Sequence, residues 1–166
     1  MDYKFKKENH DYWVNRLKKN PPNQVCTSDV GLNVLESKEI ISRITDGKSV
    51  LEIGCGNGLL YKELRKIFNL SKYVGTDFVN ELITECNKQK TDRRDEFHQL
   101  DMTVVNTDTF ERKFDIIISK RAVQNVIDQR LQIEAIDNFG YFLEDDGLMI
   151  LVESSNDAQQ RINSVS

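Results

Sequence analysis

The chain has 166 residues, 39% of them hydrophobic and 30% charged, with a formal net charge of −4. That length supports one domain with its own core, and the composition is that of an ordinary soluble protein. The acidic balance, with a pI near 5.3, argues against a non-specific nucleic-acid binder, which needs a basic face to displace counterions, but leaves a small anionic substrate open. Cys26, Cys55 and Cys86 are odd in number, widely spaced and without a C-x-x-C pair, so a reduced cytoplasmic setting with no structural zinc is expected. Residues 1–10 contain no apolar signal core, and no run approaches membrane-spanning length; the expectation is a soluble protein with no membrane partner and no classical export signal.

Residues 1–22 read as a helical arm with Tyr3, Tyr12, Trp13 and Leu17 as anchors, ended by Pro21-Pro22, which cannot continue a helix. Residues 23–166 read as a single core. Residues 31–45 carry Leu32, Leu35, Ile40, Ile41 and Ile44 as a helical apolar face leading into a strand at 49–53. Leu60, Leu64, Ile67 and Phe68 then form one stripe of a second core helix. A short strand at 72–76 ends at Asp77, a helix follows over 80–89, and a third strand at 97–100 ends at Asp101. Phe114-Asp115-Ile116-Ile117-Ile118 is the clearest strand, and its run of branched residues suits a central position covered on both faces. A helix over 129–143 would bury Ala135, Ile136, Phe139, Phe142 and Leu143, although Gly140 weakens it. Asp145-Asp146-Gly147 then turns the chain into a strand at 148–152. Strands alternating with helices predict an α/β fold, a doubly wound, mostly parallel sheet of Rossmann-like type.

The most informative stretch is Glu52-Ile53-Gly54-Cys55-Gly56-Asn57-Gly58. A strand that turns sharply into a helix beside a ligand needs residues without Cβ. The dinucleotide loop spaces its glycines G-x-G-x-x-G and holds a pyrophosphate at a helix N-terminus. Here the spacing is G-x-G-x-G, with a carboxylate two residues ahead. That acid repels a pyrophosphate and favours a cationic ligand, such as the ammonium and sulfonium groups of S-adenosylmethionine.

In such sheets ligands bind outside the carboxyl ends of the strands. The residues closing the strands are Glu52, Asp77, Asp101, Ser119 and Glu153. Asp77, 23 positions after Gly54, stands close to the offset at which a carboxylate accepts both ribose hydroxyls. Asp101 could accept the adenine amino proton with Met102 on the ring, against the competing reading of a turn or N-cap aspartate.

These residues, with Leu100-Asp101-Met102, Phe114 to Ser119 and Leu143-Glu144-Asp145-Asp146-Gly147, resemble the class I S-adenosylmethionine-dependent methyltransferases over residues 48–152. The resemblance implies that Gly54, Cys55, Gly56, Asn57 and Gly58, with Glu52, line the methionine moiety. It implies that Asp77 holds the ribose with Phe78 beside the adenine, that Asp101 and Met102 contact the base next to Leu100, and that Ser119 and Lys120 lie near the sulfonium. The cofactor would be S-adenosyl-L-methionine and the product S-adenosyl-L-homocysteine. Arg121-Ala122-Val123-Gln124-Asn125-Val126, with Gln132, Ala135-Ile136, Glu153 and Asn163, looks like a bacterial branch associated with surface-polysaccharide and secondary pathways. Family members add two strands after the fifth, whereas about a dozen polar residues follow Glu153 here, so part of the acceptor pocket is expected to be missing.

Methyl transfer is an in-line displacement whose main requirement is geometry, with proton removal from an oxygen or nitrogen nucleophile. Arg121 could fork onto an acceptor carboxylate or phosphate or pair with Asp128. Asn125 could orient a hydroxyl or cap a helix, and Glu153 is the best-placed base. Tyr12 and Trp13 could close as an aromatic lid over the cationic cofactor or simply dock the arm. His98 reads as a core or surface residue, and His10 as a surface one. No carboxylate cluster has metal-binding spacing. The acceptor is expected to be a small polar, in one reading anionic, metabolite. Two competing readings are a non-catalytic cofactor-binding accessory subunit and, disfavoured by the glycine spacing, a nicotinamide oxidoreductase.

Overall fold

The computed structural model describes residues 3–154. Its elements are α1 (Tyr3–Lys19), α2 (Val30–Ile41), β1 (Ser49–Ile53), α3 (Leu59–Ile67), β2 (Lys72–Asp77), α4 (Asn80–Gln89), β3 (Glu96–Gln99), β4 (Phe114–Lys120), α5 (Gln129–Gly140) and β5 (Leu143–Val152). Short 3-10 turns lie at Pro22–Gln24, Met102–Val104 and Val123–Asn125. The described strands form one sheet in the order β3-β2-β1-β4-β5, and every pair is parallel. The order reverses between β1 and β4, so a crevice opens at their carboxyl ends.

Two apolar layers sandwich the sheet. Val50, Ile116, Ile118 and Ile150 pack with Ile40, Leu60, Tyr61 and Leu64 on one face, while Leu51, Ile117 and Phe114 pack with Ala135 and Phe139 of α5 on the other. Central strands buried on both faces are what the branched runs of β1 and β4 require. Below the crevice, the fully buried Asp95 accepts hydrogen bonds from Tyr61 Oη at 3.0 Å, Arg65 Nε at 2.9 Å and the Tyr73 amide at 3.1 Å. One carboxylate thereby joins α3, β2 and the start of β3.

Several expectations change. Leu32 and Leu35 are exposed, and α2 instead buries Asn33, Ser37 and Ile40. The N-terminal half of that helix lies over the polar strand ends, and only its C-terminal half reaches the apolar core. Ile67, at the last residue of α3, is exposed. Helix α5 stops at Gly140, so that glycine is terminal rather than interior, and Leu143 belongs to β5. Phe114 pairs with Leu143 and Ile116 with Leu148, so Asp145-Asp146-Gly147 is looped out within β5 rather than separating a helix from a strand. Strand β3 lies one residue earlier than expected, and His98 is exposed, paired with Glu96 at 3.1 Å. Tyr3 begins α1, but its side chain, like Asn163, lies outside what is described.

Candidate functional site

The glycine loop is shaped by left-handed backbone. Gly54, Gly56 and Gly58 have φ of 71°, 55° and 76°, a region that residues with a Cβ rarely occupy. The space a Cβ would need is taken by the protein itself. A Cβ at Gly54 would collide with the Ala122 methyl, and one at Gly56 with Cys26 Sγ. The expected pressure on this backbone therefore comes from neighbouring side chains, and the ligand space lies beside the loop.

That space is an open cleft enclosing about 1020 Å³, solvent-exposed space included. Of the predicted residues, Trp13, Glu52, Gly54, Cys55, Gly56, Asn57, Asp77, Phe78, Asp101, Met102, Lys120, Arg121 and Asn125 line it. Gly58 caps α3 behind the loop. Leu100 packs in the core with Met102, and Ser119 is fully buried; neither lines the cleft.

Asp77 ends β2 and organises the loop. Its Oδ2 accepts from the Gly56 amide and its Oδ1 from the Val79 amide, both at 2.9 Å. Burial raises its pKa to about 6 against the pull of the Val79, Gly56 and Phe78 amides. Glu52 is 2% exposed and accepts a hydrogen bond from the Tyr73 hydroxyl. Burial lifts it to about 7, opposed by Tyr73 and by the charge of Lys120. Burial, with the charge of Asp77, also raises the Cys26 thiol to about 12, which leaves it protonated at neutral pH and no nucleophile.

At the other end α1 forms a wall. Lys6, Asn9 and Trp13 line the cleft, and Trp13, Val14 and Leu17 pack on Val25, Val79 and Leu82. Trp13 thus both docks the helix and faces the cleft. Tyr12 does neither as a lid residue: it is 54% exposed, edge-on to Trp13 at 5.0 Å and beneath the Arg16 guanidinium, because the next position on a helix points away from the face that docks. His10 stays at the surface, with Nε2 3.0 Å from Glu81 Oε2. Asp101 caps the turn at Met102 by accepting from Thr103 and also accepts from Lys6 Nζ at 2.5 Å. Burial acts to raise it, but Lys6 and Thr103 outweigh that and hold it below the ordinary carboxylate range.

Two catalytic expectations are corrected. Glu153 is not a free base: it accepts from Ser119 Oγ at 2.8 Å and from the Ala122, Val123 and Gln124 amides at 3.1–3.2 Å. Those four donors make it the anchor of the loop after β4, outside the cleft lining. Arg121 is not free to fork onto an acceptor. Its partner acid is Glu36 of α2 rather than Asp128, which caps α5 instead. Asn125 caps no helix; its Nδ2 donates to the Arg121 carbonyl at 2.8 Å. Lys6, Asn9, Cys26 and Asn33 line the cleft unanticipated, and only the alternation of apolar and polar residues in α2 hinted at Asn33. Among the described residues no cluster of His, Cys, Asp or Glu could hold a metal ion, and no helix is long and apolar enough to cross a membrane.

The residues lining the cleft fit the adenosyl cofactor that the sequence points to. Space is open beside the loop, Asp77 stands within it, and its walls hold buried carboxylates suited to a cationic ligand.

Comparison with known proteins agrees with this geometry. A family model described as a methyltransferase domain matches residues 44–165. No curated protein sequence matches. Among solved structures, a DhpI–SAM–HEP complex aligns with TM-score 0.77 at 14% identity, covering 100% of this chain and 73% of that one. Phosphoethanolamine N-methyltransferase 1 of Haemonchus contortus, in complex with phosphoethanolamine and S-adenosylhomocysteine, aligns with TM-score 0.75 at 19% identity over 94% of this chain and 34% of its own. A TehB-like SAM-dependent methyltransferase from Corynebacterium glutamicum gives 0.66 at 19% identity, over 96% and 83%. At these identities the likeness is one of fold.

Proposed function

Since this chain belongs to the methyltransferase-domain family, matched over residues 44–165, we propose that it binds S-adenosylmethionine and moves its methyl group to an oxygen or nitrogen of a small polar acceptor. The observation that carries this reading is the Asp77 carboxylate in the cleft wall, fixed by the Gly56 amide beside a left-handed glycine loop. The Asp77 oxygens accept from the Gly56 and Val79 amides and, as a carboxylate offers about four lone-pair sites, keep capacity for ribose hydroxyls. Trp13, Phe78 and Met102 supply apolar surface for a base, and Asp101 an acceptor for its amino group.

When bound, the cofactor supplies a methyl carbon activated by its sulfonium. That methyl would pass to the acceptor's lone pair with the sulfur leaving as a neutral thioether and the acceptor's proton going to water, while Asp77, Glu52 and the glycine loop would hold the donor. The chain's part is to hold the reactants in line, worth several kcal/mol when orientation is good. Buried Glu52 and Asp77 suit a cationic donor through their partial negative charge at neutral pH.

The test is calorimetric titration of the full chain with S-adenosylhomocysteine, followed by detection of methylated product from a labelled-cofactor acceptor screen. Absence of binding heat from folded protein would sink the reading. Binding without turnover on any acceptor would favour an accessory, non-catalytic module of the same fold.

A further inference from the structure

At the end of the cleft, where β4 closes, two cations are engaged by the chain itself before any substrate arrives. Arg121 adopts φ 56°, rare for a residue with a Cβ, and its guanidinium is held by its own chain at three points. Nη1 donates to Thr27 Oγ1 at 2.9 Å and Nη2 to Asn33 Oδ1 at 3.1 Å. Nε lies 3.2 Å from Glu36 Oε2, an ion pair without hydrogen-bond alignment. Lys120 Nζ donates to Asn33 Oδ1 at 2.9 Å and Ser37 Oγ at 3.2 Å, and it feels the charges of Glu36, Glu52 and Glu63. Arg121 is therefore paired with Glu36, and Lys120 feels the nearby acids while bonded to Asn33 and Ser37. An anionic group entering here meets cations already engaged by the chain's own polar and acidic groups, so it gains less than it would from free ones.

Two amides on this wall keep unused hydrogen-bonding capacity. Asn33 spends its Oδ1 on Lys120 and Arg121, which fixes which end of the amide is oxygen, and its Nδ2 has no partner among the described residues. Asn125 spends its Nδ2 on the Arg121 carbonyl, and its Oδ1 has no partner there either. Both residues line the cleft, so each of these two amides leaves one end free, Asn33 a donor and Asn125 an acceptor. A carboxylate or phosphate dianion, which can only accept, meets an unanswered Oδ1; an ammonium, which can only donate, meets an unanswered Nδ2. A neutral hydroxyl or amine does both.

Resting on the methyl-transfer reading, we infer that Asn33 and Asn125 recognise the acceptor, and that the acceptor presents to them an uncharged hydroxyl or amine. Arg121 is a positioning residue: it sets the rotamer of Asn33 through its guanidinium and that of Asn125 through its carbonyl.

The test uses the full chain saturated with S-adenosylhomocysteine and follows the side-chain amide NMR signals of Asn33 and Asn125 during titration. The probes are phenol and aniline as neutral ligands, and benzoate and phenyl phosphate as anionic ones. The expected result is saturable shifts of both signals with the neutral pair only. Asn33→Ala, or Asn33→Ser if the first variant folds poorly, should weaken phenol binding at least fivefold with S-adenosylhomocysteine affinity within twofold. Arg121→Gln should move both amide signals without any probe. Equal or tighter binding of benzoate or phenyl phosphate at these signals would overturn the inference, as would failure of both neutral probes to bind. Because cofactor-product binding is measured on the same sample, its loss would strike the methyltransferase reading instead.

Discussion

Asp77 Oδ2 and the Gly56 amide are joined at 2.9 Å, a contact that locks the end of β2 to the glycine loop after β1. The carboxylate both shapes the left-handed loop and stands in the cleft.

Replacing Asp77 by Ala therefore removes a ligand partner and an internal strut together. Leaving ribose hydroxyls and a backbone amide unpaired costs about 1–3 kcal/mol, so S-adenosylhomocysteine affinity should fall roughly 5- to 150-fold. Calorimetry with the variant checks this, and unchanged affinity would reject the ribose assignment.

The buried acids give a pH dependence with a definite sign. Glu52 and Asp77 titrate near 7 and 6 in the folded state, above their ordinary values, so the native state binds more protons than the unfolded chain in between. Their stabilising contribution is complete below the ordinary carboxylate range and is lost as pH rises through about 6 and then 7, each tenfold difference in proton affinity between folded and unfolded chain being worth about 1.4 kcal/mol. Thermal melts of the ligand-free protein should show this loss between about pH 4 and 7, and Glu52→Gln should flatten it. Asp115, held down to about 2 chiefly by the Ser49 amide, acts with the opposite sign, its contribution vanishing only in strong acid. Cofactor-product affinity should weaken as pH falls below about 6, since Asp77 must ionise to accept from two hydroxyls.

Gly56→Ala combines a φ of 55° with a collision at Cys26 Sγ. Strain and overpacking should together cost about 2–4 kcal/mol, read as a lower denaturant midpoint. Adding Cys26→Ala should recover the packing part but not the backbone part, a non-additivity that a double-mutant cycle resolves.

Asp95→Asn should separate stability from binding. Arg65 would lose its fully buried carboxylate partner and keep only the looser pair with Asp92 at 3.8 Å, at a cost of about 3–5 kcal/mol. The site lies at the far end of the strands, so S-adenosylhomocysteine affinity of the folded fraction should be unchanged.

Much of this molecule was legible in the linear chain because its signals are local. A branched strand, three alternate glycines and a helix specify the crossover at β1–α3, and the parallel sheet then dictates that strand-closing residues such as Asp77 and Asp101 share one edge. The family's cofactor end follows from that rule alone. The other end does not. Periodicity assumes a uniformly apolar partner surface, so it turned Leu32 and Leu35 of α2 inward. The tertiary structure turns Asn33 and Ser37 inward instead, because the wall they meet carries Lys120, 87 positions from Asn33. In the same way Glu153 looked like a free carboxylate until folding delivered Ser119 and three amides to it. Local pattern settles which elements form and where their ends gather. Which polar groups remain free there depends on partners far apart in sequence, and only the folded chain brings them together.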